Sequence, residues 1–342
     1  MLGGSQADAE QTLDQQGHTL NQGQTDDLPA KSFILDTDVA IDDWVAILFL
    51  LQIPGVDVRA ITVSGTGECH SRPGVENVMR LAGLTARPDV PVAGGRETPL
   101  RGSRRFPLLI RWMMDRMLFL RPPAVPRRPV PQTTLELLTS AARDSGQKAR
   151  MIALGGLTNI AEALLAHPTL TEKLEGIWIM GGAIDVPGNI QEIAPTSPNA
   201  VAEWNIYVDP HAANLVFHSG VPVTLVPLDA TNDVPVTEDF REHLRQDCST
   251  RAAAFVDRAL ARIHLLGSGR PFYLWDPMTV AVALDESLGT YEQRHLQVIE
   301  EEGQQSGQVL AHPGGEAVRV CMRIDKVRFE QTVIDGLNGR VP

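Results

Sequence analysis

The chain has 342 residues with a hydrophobic fraction of 43%, enough for the core of one large domain or two smaller ones. Its formal net charge of −12 argues against general binding to nucleic acid or to an anionic membrane. Cys69, Cys248 and Cys321 are too scattered for a disulfide framework or a zinc knuckle, no apolar run reaches the roughly 18 residues that span a bilayer, and the N-terminus lacks a signal pattern, so a cytoplasmic protein is expected.

Residues 1–32 are rich in Gln, Gly, Asp and Thr and poor in large apolar side chains. Such a stretch cannot bury enough surface to offset its ordering entropy, and it reads as a disordered polar tail. Residues 33–35 then have the length of a buried strand. Four acids follow within eight residues, Asp36, Asp38, Asp42 and Asp43, and residues 45–51 continue as an apolar segment free of Gly and Pro, a core helix. Asp42 and Asp43 stand where that helix starts and can cap its free N–H groups. A strand, tight loop and helix deliver side chains to the carboxyl end of a parallel strand, where open α/β sheets bind ligands. Four carboxylates crowded there repel one another, and a hard divalent cation with oxygen ligands relieves them. The alternative is two caps and two solvated loop residues.

Residues 58–63 (VRAITV) predict a second strand running into the loop SGTGECH, residues 64–70. A helix over 75–84 and a short strand over 90–93 come next. Residues 101–131 differ in kind, with eight arginines against the single acid Asp115. This Arg-rich insertion either lies over the site or meets a partner; the other reading is a peripheral helix with solvated arginines. Beyond it the pattern is a helix over 134–144, a strand over 149–154, a Gly155-Gly156 turn and a helix from about Thr158. Strands follow over 176–180, 223–228 and 318–324, with a closing helix over 329–337. Recurrent strand, glycine turn and helix predict an α/β fold, an open and mostly parallel Rossmann-like sheet covered by helices on both faces, in a single domain over 33–340.

Six motifs standing in one order carry a resemblance. DTDVAIDD (36–43), LGGLTNIA (154–161), IMGGA (179–183), Gly188-Asn189, AEWNIYVDP (202–210) and WDP (275–277) together resemble the inosine-uridine-preferring nucleoside hydrolase family, over about residues 33–337. The resemblance implies hydrolysis of the N-glycosidic bond of a ribonucleoside at a site-bound Ca²⁺. Matched position by position, it assigns the calcium to Asp38, Asp43, Asp276 and the backbone carbonyl of Leu154. Three carboxylates and a carbonyl are hard oxygen donors, which agrees. Asp38 is the expected acceptor of the attacking water's proton, and without a second carboxylate nucleophile direct attack by water, hence inversion, is expected. Asp42, Asn189, Glu203 and Asn205 are expected to hold the ribose, the last two from one face of an extended segment. Met180 is expected beneath the sugar, although a Met ending a buried strand also reads as core.

Departures from the family pattern are informative. Many members carry a His immediately before the last ligand Asp; here Trp275 stands there. An indole cannot donate a proton to the leaving base, but it can stack on a purine and favour N7 protonation by solvent, as in the purine-specific branch. Glu68 resembles an acid of that branch and is expected near the ribose, so a purine preference is expected. Val39-Ala40 replaces the commoner Pro-Gly, which shapes the loop differently. Trp112 is either a second stacking face or a helix-core tryptophan. His70 and Tyr273 are further candidates to assist the leaving group. The expected partner is the small nucleoside alone, with a homo-oligomer, dimer or tetramer, as the assembly. Two other readings compete: a non-catalytic nucleoside or sugar binder, and a haloacid-dehalogenase-like phosphatase, for which Asp42-Asp43 comes too early.

Overall fold

The computed structural model describes residues 31–143, 147–266 and 271–340. Residues 1–30 of the expected polar tail lie outside them, and Ser32, placed in that tail, instead opens the first strand. Nine strands form one sheet. In chain order they are β1 Ser32–Thr37, β2 Asp57–Val63, β3 Val92–Gly94, β4 Ala149–Ala153, β5 Leu174–Met180, β6 Val223–Val226, β7 Gly289–Val298, β8 Val309–Ala311 and β9 Glu316–Ile324. The spatial order is β3-β2-β1-β4-β5-β6-β9-β7-β8. Every pairing from β3 to β9 is parallel, whereas β7 and β8 run antiparallel at one edge. The fold is therefore α/β with a mostly parallel open sheet.

Two apolar layers explain why the central strands read as continuous apolar runs. Helices Ile41–Gln52, Ser71–Ala82, Arg251–Leu266, Trp275–Leu284 and Lys326–Leu337 contribute to a core that takes in Leu35, Ile61 and Ile152 from the sheet. On the opposite face, helices Thr134–Arg143, Thr158–Ala166 and Pro210–Phe217 cover Ile34, Met151 and Ile177. Helix Ile41–Gln52 has ten of its twelve residues buried, so it is hydrophobic all round. No described helix is long and apolar enough to cross a membrane.

Strand order fixes where a ligand goes. From β1 the chain winds outward through β2 to β3, then returns to β4 on the other side of β1. The reversal opens a crevice beyond the carboxyl ends of β1 and β4. Asp38 follows β1 and Leu154 follows β4, and the two strands are laced there by Leu154 N–H donating to Asp36 O at 2.8 Å.

Candidate active site at the carboxyl ends of the strands

The floor of the site is built by the turn between β1 and helix Ile41–Gln52. Val39 in that turn has φ +65°, a left-handed conformation rare for a β-branched residue. Its N–H donates to Thr37 Oγ1 at 3.1 Å, and its carbonyl accepts from Trp44 Nε1 at 2.8 Å. Beyond the turn, Asp42 and Asp43 fall in the first helical turn. The Thr37 hydroxyl donates to Asp43 Oδ1 and the Ala40 N–H to Oδ2 at 2.9 Å, so Asp43 also caps the helix. Asp38 Oδ2 accepts from Glu68 N–H at 3.1 Å. Gly67 approaches so closely that a Cβ there would lie 2.1 Å from Asp38 Oδ2; only glycine leaves the carboxylate its place. Asp276 enters from the first turn of helix Trp275–Leu284, and one oxygen each of Asp42, Asp43 and Asp276 lie within 4.8 Å of one another. Asp36, by contrast, is spent on structure. It accepts from Thr62 Oγ1 at 2.5 Å and Asn159 Nδ2 at 2.8 Å and does not line the cavity, so the paired aspartates of a phosphatase site are not assembled.

Electrostatics follow from burial. Burial first, and then the charge of Asp38, pushes the Asp42 carboxyl up to about 7. The same desolvation raises Asp38 and, reinforced by neighbouring carboxylates, carries Asp43 and Asp276 well above the usual range. Among the described residues no lysine or arginine forms an ion pair with any of the four. Oxygen-only donors, buried and mutually repelling, are a set that fits a hard divalent cation.

The walls come from β4, β5 and the segment after them. Asn205 Nδ2 donates to Leu154 O at 3.0 Å and Met180 O at 3.2 Å, tying the two strand ends together. Glu203 and Asn205 are not on an extended segment as expected. Glu203 is the N-cap of the short helix Trp204–Val208, its carboxylate accepting from the N–H groups of Asn205, Ile206 and Gly182 at 2.9, 3.3 and 3.0 Å. A cap-forming acid begins a helix here, and both side chains still line the cavity. Burial pushes the Glu203 carboxyl up to about 7 against those bonds. Asn189 Oδ1 accepts from Trp204 N–H at 3.0 Å. Trp275 lines the far end beside Phe272, its Nε1 donating to Asn232 Oδ1 at 3.3 Å.

Asp38, Asp42, Asp43, Glu68, Leu154, Met180, Asn189, Glu203, Asn205, Trp275 and Asp276 thus surround one cavity of about 540 Å³. Burial and the charges of Asp38 and Asp42 raise the Glu68 carboxyl well above its usual range. Three candidates do not join them. Trp112 is 43% exposed, with the Arg116 guanidinium 4.2 Å over its ring and Phe119 at its edge. It sits on the outer face of helix Leu108–Asp115, neither stacked on the site nor in a helix core, because the inner face is taken by Ile110, Met113 and Met114. His70 turns its Nδ1 to Asp115 Oδ2 at 2.8 Å, and Tyr273 packs on Trp275 outside the lining; among the described residues no histidine lines the cavity.

The sequence left the insertion either over the site or against a partner and did not single out the residues of a roof. Ile110, Met113, Met114 and Leu118 cover the cavity, and Phe106, stacked on Trp204 at 4.2 Å between ring centroids, closes its side. The insertion therefore lies over the site, and spacing by three and four residues was the available signal.

Comparison with known proteins agrees with this geometry. The family model described as inosine-uridine preferring nucleoside hydrolase matches residues 33–331. A pyrimidine-specific ribonucleoside hydrolase, RihA, of Klebsiella pneumoniae is 34% identical over 278 residues, covering 79% of this chain and 84% of that protein. The plant nucleoside hydrolase PpNRh1 superposes with a TM-score of 0.79 at 30% identity, covering 90% of this chain and 99% of the other. A purine-preferring ribonucleoside hydrolase from Gardnerella vaginalis gives 0.77 at 26% identity, covering 90% and 98%.

Proposed function

The chain belongs to the inosine-uridine preferring nucleoside hydrolase family and hydrolyses N-glycosidic bonds of ribonucleosides, and from that premise we propose that it does so by direct attack of water with Asp38 as the proton acceptor. Asp38, Asp43, Asp276 and the Leu154 carbonyl would hold Ca²⁺. When bound, such a cation supplies the charge that keeps these carboxylates ionised and Lewis acidity toward water and vicinal hydroxyls. The observation that carries the reading is the closing of four buried carboxylates around one cavity whose other wall is amide and carboxylate.

Each residue then has a task. Asp38, fixed by the Glu68 N–H and pressed by Gly67, takes the proton as the water's oxygen attacks C1′. Asp42, Glu68, Asn189, Glu203 and Asn205 bond the ribose hydroxyls, and Met180 packs beneath the ring. The polar partners built for a 2′-hydroxyl reject 2′-deoxyribose, because they would be left unpaired. No carboxylate acts as nucleophile, so the configuration at C1′ inverts.

At the leaving-group end the walls include Trp275, Phe272 and the methionine roof, with no histidine among the described residues. Such a wall stacks on a base and donates no proton, which favours purines, whose N7 can be protonated by solvent. The named relatives fall on both sides of this question, one pyrimidine-specific and one purine-preferring. Ribose release from inosine, guanosine, uridine, cytidine and 2′-deoxyinosine, with and without chelator, tests the whole reading. Chelator-sensitive hydrolysis with purines ahead is expected. Hydrolysis of uridine as fast as of inosine overturns the base preference, and chelator-resistant turnover overturns the cation. A reducing cytoplasmic location accords with three free cysteines.

A further inference from the structure

Among the buried charges that the reaction scheme leaves unused is a cation, Arg111. It stands in the middle of helix Leu108–Asp115, 3% exposed, in a segment whose other arginines lie mostly at the surface. Its Nη2 donates to Gly65 O at 2.6 Å and Cys69 O at 3.1 Å and meets Glu97 Oε2 at 3.0 Å. Those two carbonyls bracket the short turn that carries Gly67 and Glu68. From inside the same turn, Glu68 N–H donates to Asp38 Oδ2 at 3.1 Å and Cys69 N–H to Asp38 O at 3.0 Å. Cys69 is therefore held from both sides, its N–H on Asp38 and its carbonyl on Arg111.

A second tie joins the same two elements. Asp115, at the end of the helix, accepts from His70 N–H at 2.9 Å and from the Cys69 thiol at 3.3 Å. Asn77 Nδ2 donates to the carbonyls of Met114 and Asp115, both at 3.2 Å. Next to Arg111 along the helix, Ile110, Met113 and Met114 face the cavity. One helix thus contacts the space for the leaving base with one set of side chains and grips the turn over Asp38 with another.

We propose that Arg111 is a positioning residue for the hydrolytic step: it couples the roof helix over the leaving base to the 65–69 turn and thereby fixes the rotamer of the Asp38 carboxylate. The inference rests on Asp38 as the proton acceptor. Geometry of this kind matters to rate more than to affinity, because proton transfer tolerates little displacement of the acceptor, while of the ribose contacts only Glu68 rides on the gripped turn and Asn189, Glu203 and Asn205 come from another part of the sheet.

Arg111→Met removes the donors and keeps the length and apolar stem. Its kcat is expected to fall about 10- to 100-fold, as for a displacement of the acceptor by an ångström or less, with KM for inosine within about threefold. Arg111→Lys, which retains charge and one reachable donor, restores part of kcat. Hydrogen exchange at the Glu68 and Cys69 amides supplies a readout that does not depend on turnover: both exchange faster in Arg111→Met. The proposal is overturned by an unchanged kcat, by a rise in KM that accounts for the loss, or by amides as protected as in the parent. If Arg111→Met does not fold, Arg111→Lys decides alone, a kcat loss of at least about threefold at constant KM supporting and a parental kcat opposing. Asp38→Asn run in parallel separates the two ideas, since full activity there removes the base assignment whatever Arg111 does.

Discussion

Burial among other acids raises a carboxylate's pKa, so it can accept a proton at neutral pH only where something keeps it ionised. The 65–69 turn holds Asp38 through the Glu68 N–H on its carboxylate and the Cys69 N–H on its carbonyl, while the neighbouring acids repel its charge. Asp38→Asn keeps one oxygen donor and the shape but cannot accept a proton; kcat is expected to fall by about a hundredfold or more, with the melting temperature close to the parent's. More than half the parental kcat in that variant rules out the assignment. Trp275 offers the complementary test at the other end of the cavity. Stacking on an aromatic face contributes roughly 1–3 kcal/mol per base. Trp275→Ala is therefore expected to slow inosine far more than nitrophenyl riboside, whose leaving group needs neither stacking nor a proton. Equal damage to both substrates would mark Trp275 as packing only.

Elements differ in how visibly their residues announce them. β1, β4 and β5 are covered on both faces over most of their length, so each carries a run of consecutive apolar residues that leads into Asp or Gly within two residues. β7 is half exposed, with Glu292, Arg294 and His295 breaking its alternation, and it owes its existence to pairing with β9. No local apolar run could disclose it. Helix Ser71–Ala82 starts four residues before the predicted start because Pro73 and Gly74 read as a loop, whereas proline is tolerated in a first helical turn. Of the site, the acids were legible through their clustering and motif order. The roof was legible only in part: spacing by three and four residues puts Ile110, Met113 and Met114 on one helix face, but only the tertiary fold turns that face inward and Trp112 outward. Close packing between elements was equally silent. A Cβ on Gly336 would lie 2.2 Å from the Phe49 ring, so the closing helix meets the core helix at a point that admits only glycine. Gly336→Ala is expected to destabilise by about 1–3 kcal/mol through overpacking, read as a lower denaturation midpoint with kcat little changed. A midpoint equal to the parent's would mean the two helices can separate without cost.

At the scale of the whole molecule, the cluster of buried acids at the site carries an electrostatic penalty that the proposed cation would relieve. Burial pushes the Asp42 carboxyl up to about 7 and raises Asp38, Asp43 and Asp276 as well. An unfolded aspartate titrates near 4 (about 3.9 in model peptides). A folded value above the unfolded one means that the folded state binds more protons between them, so stability falls as pH rises through that window. As far as these groups are concerned, metal-free protein should therefore be most stable below about pH 4 and lose stability progressively as pH rises toward 7 and above. Cation binding requires the ionised carboxylates and binds only the folded state, adding about 2.7 kcal/mol when free cation reaches a hundred times its dissociation constant. The two effects run in opposite directions with pH. The difference in melting temperature between calcium-loaded and chelated protein is expected to be small at pH 5 and to widen steadily to pH 8, with hydrolysis lost in the chelated sample. Differential scanning calorimetry across that range, with matched activity assays, measures both. A gap that stays constant or narrows with pH shows that these carboxylates do not hold the cation, and a chelated sample that neither softens nor loses activity removes the cation from the site altogether.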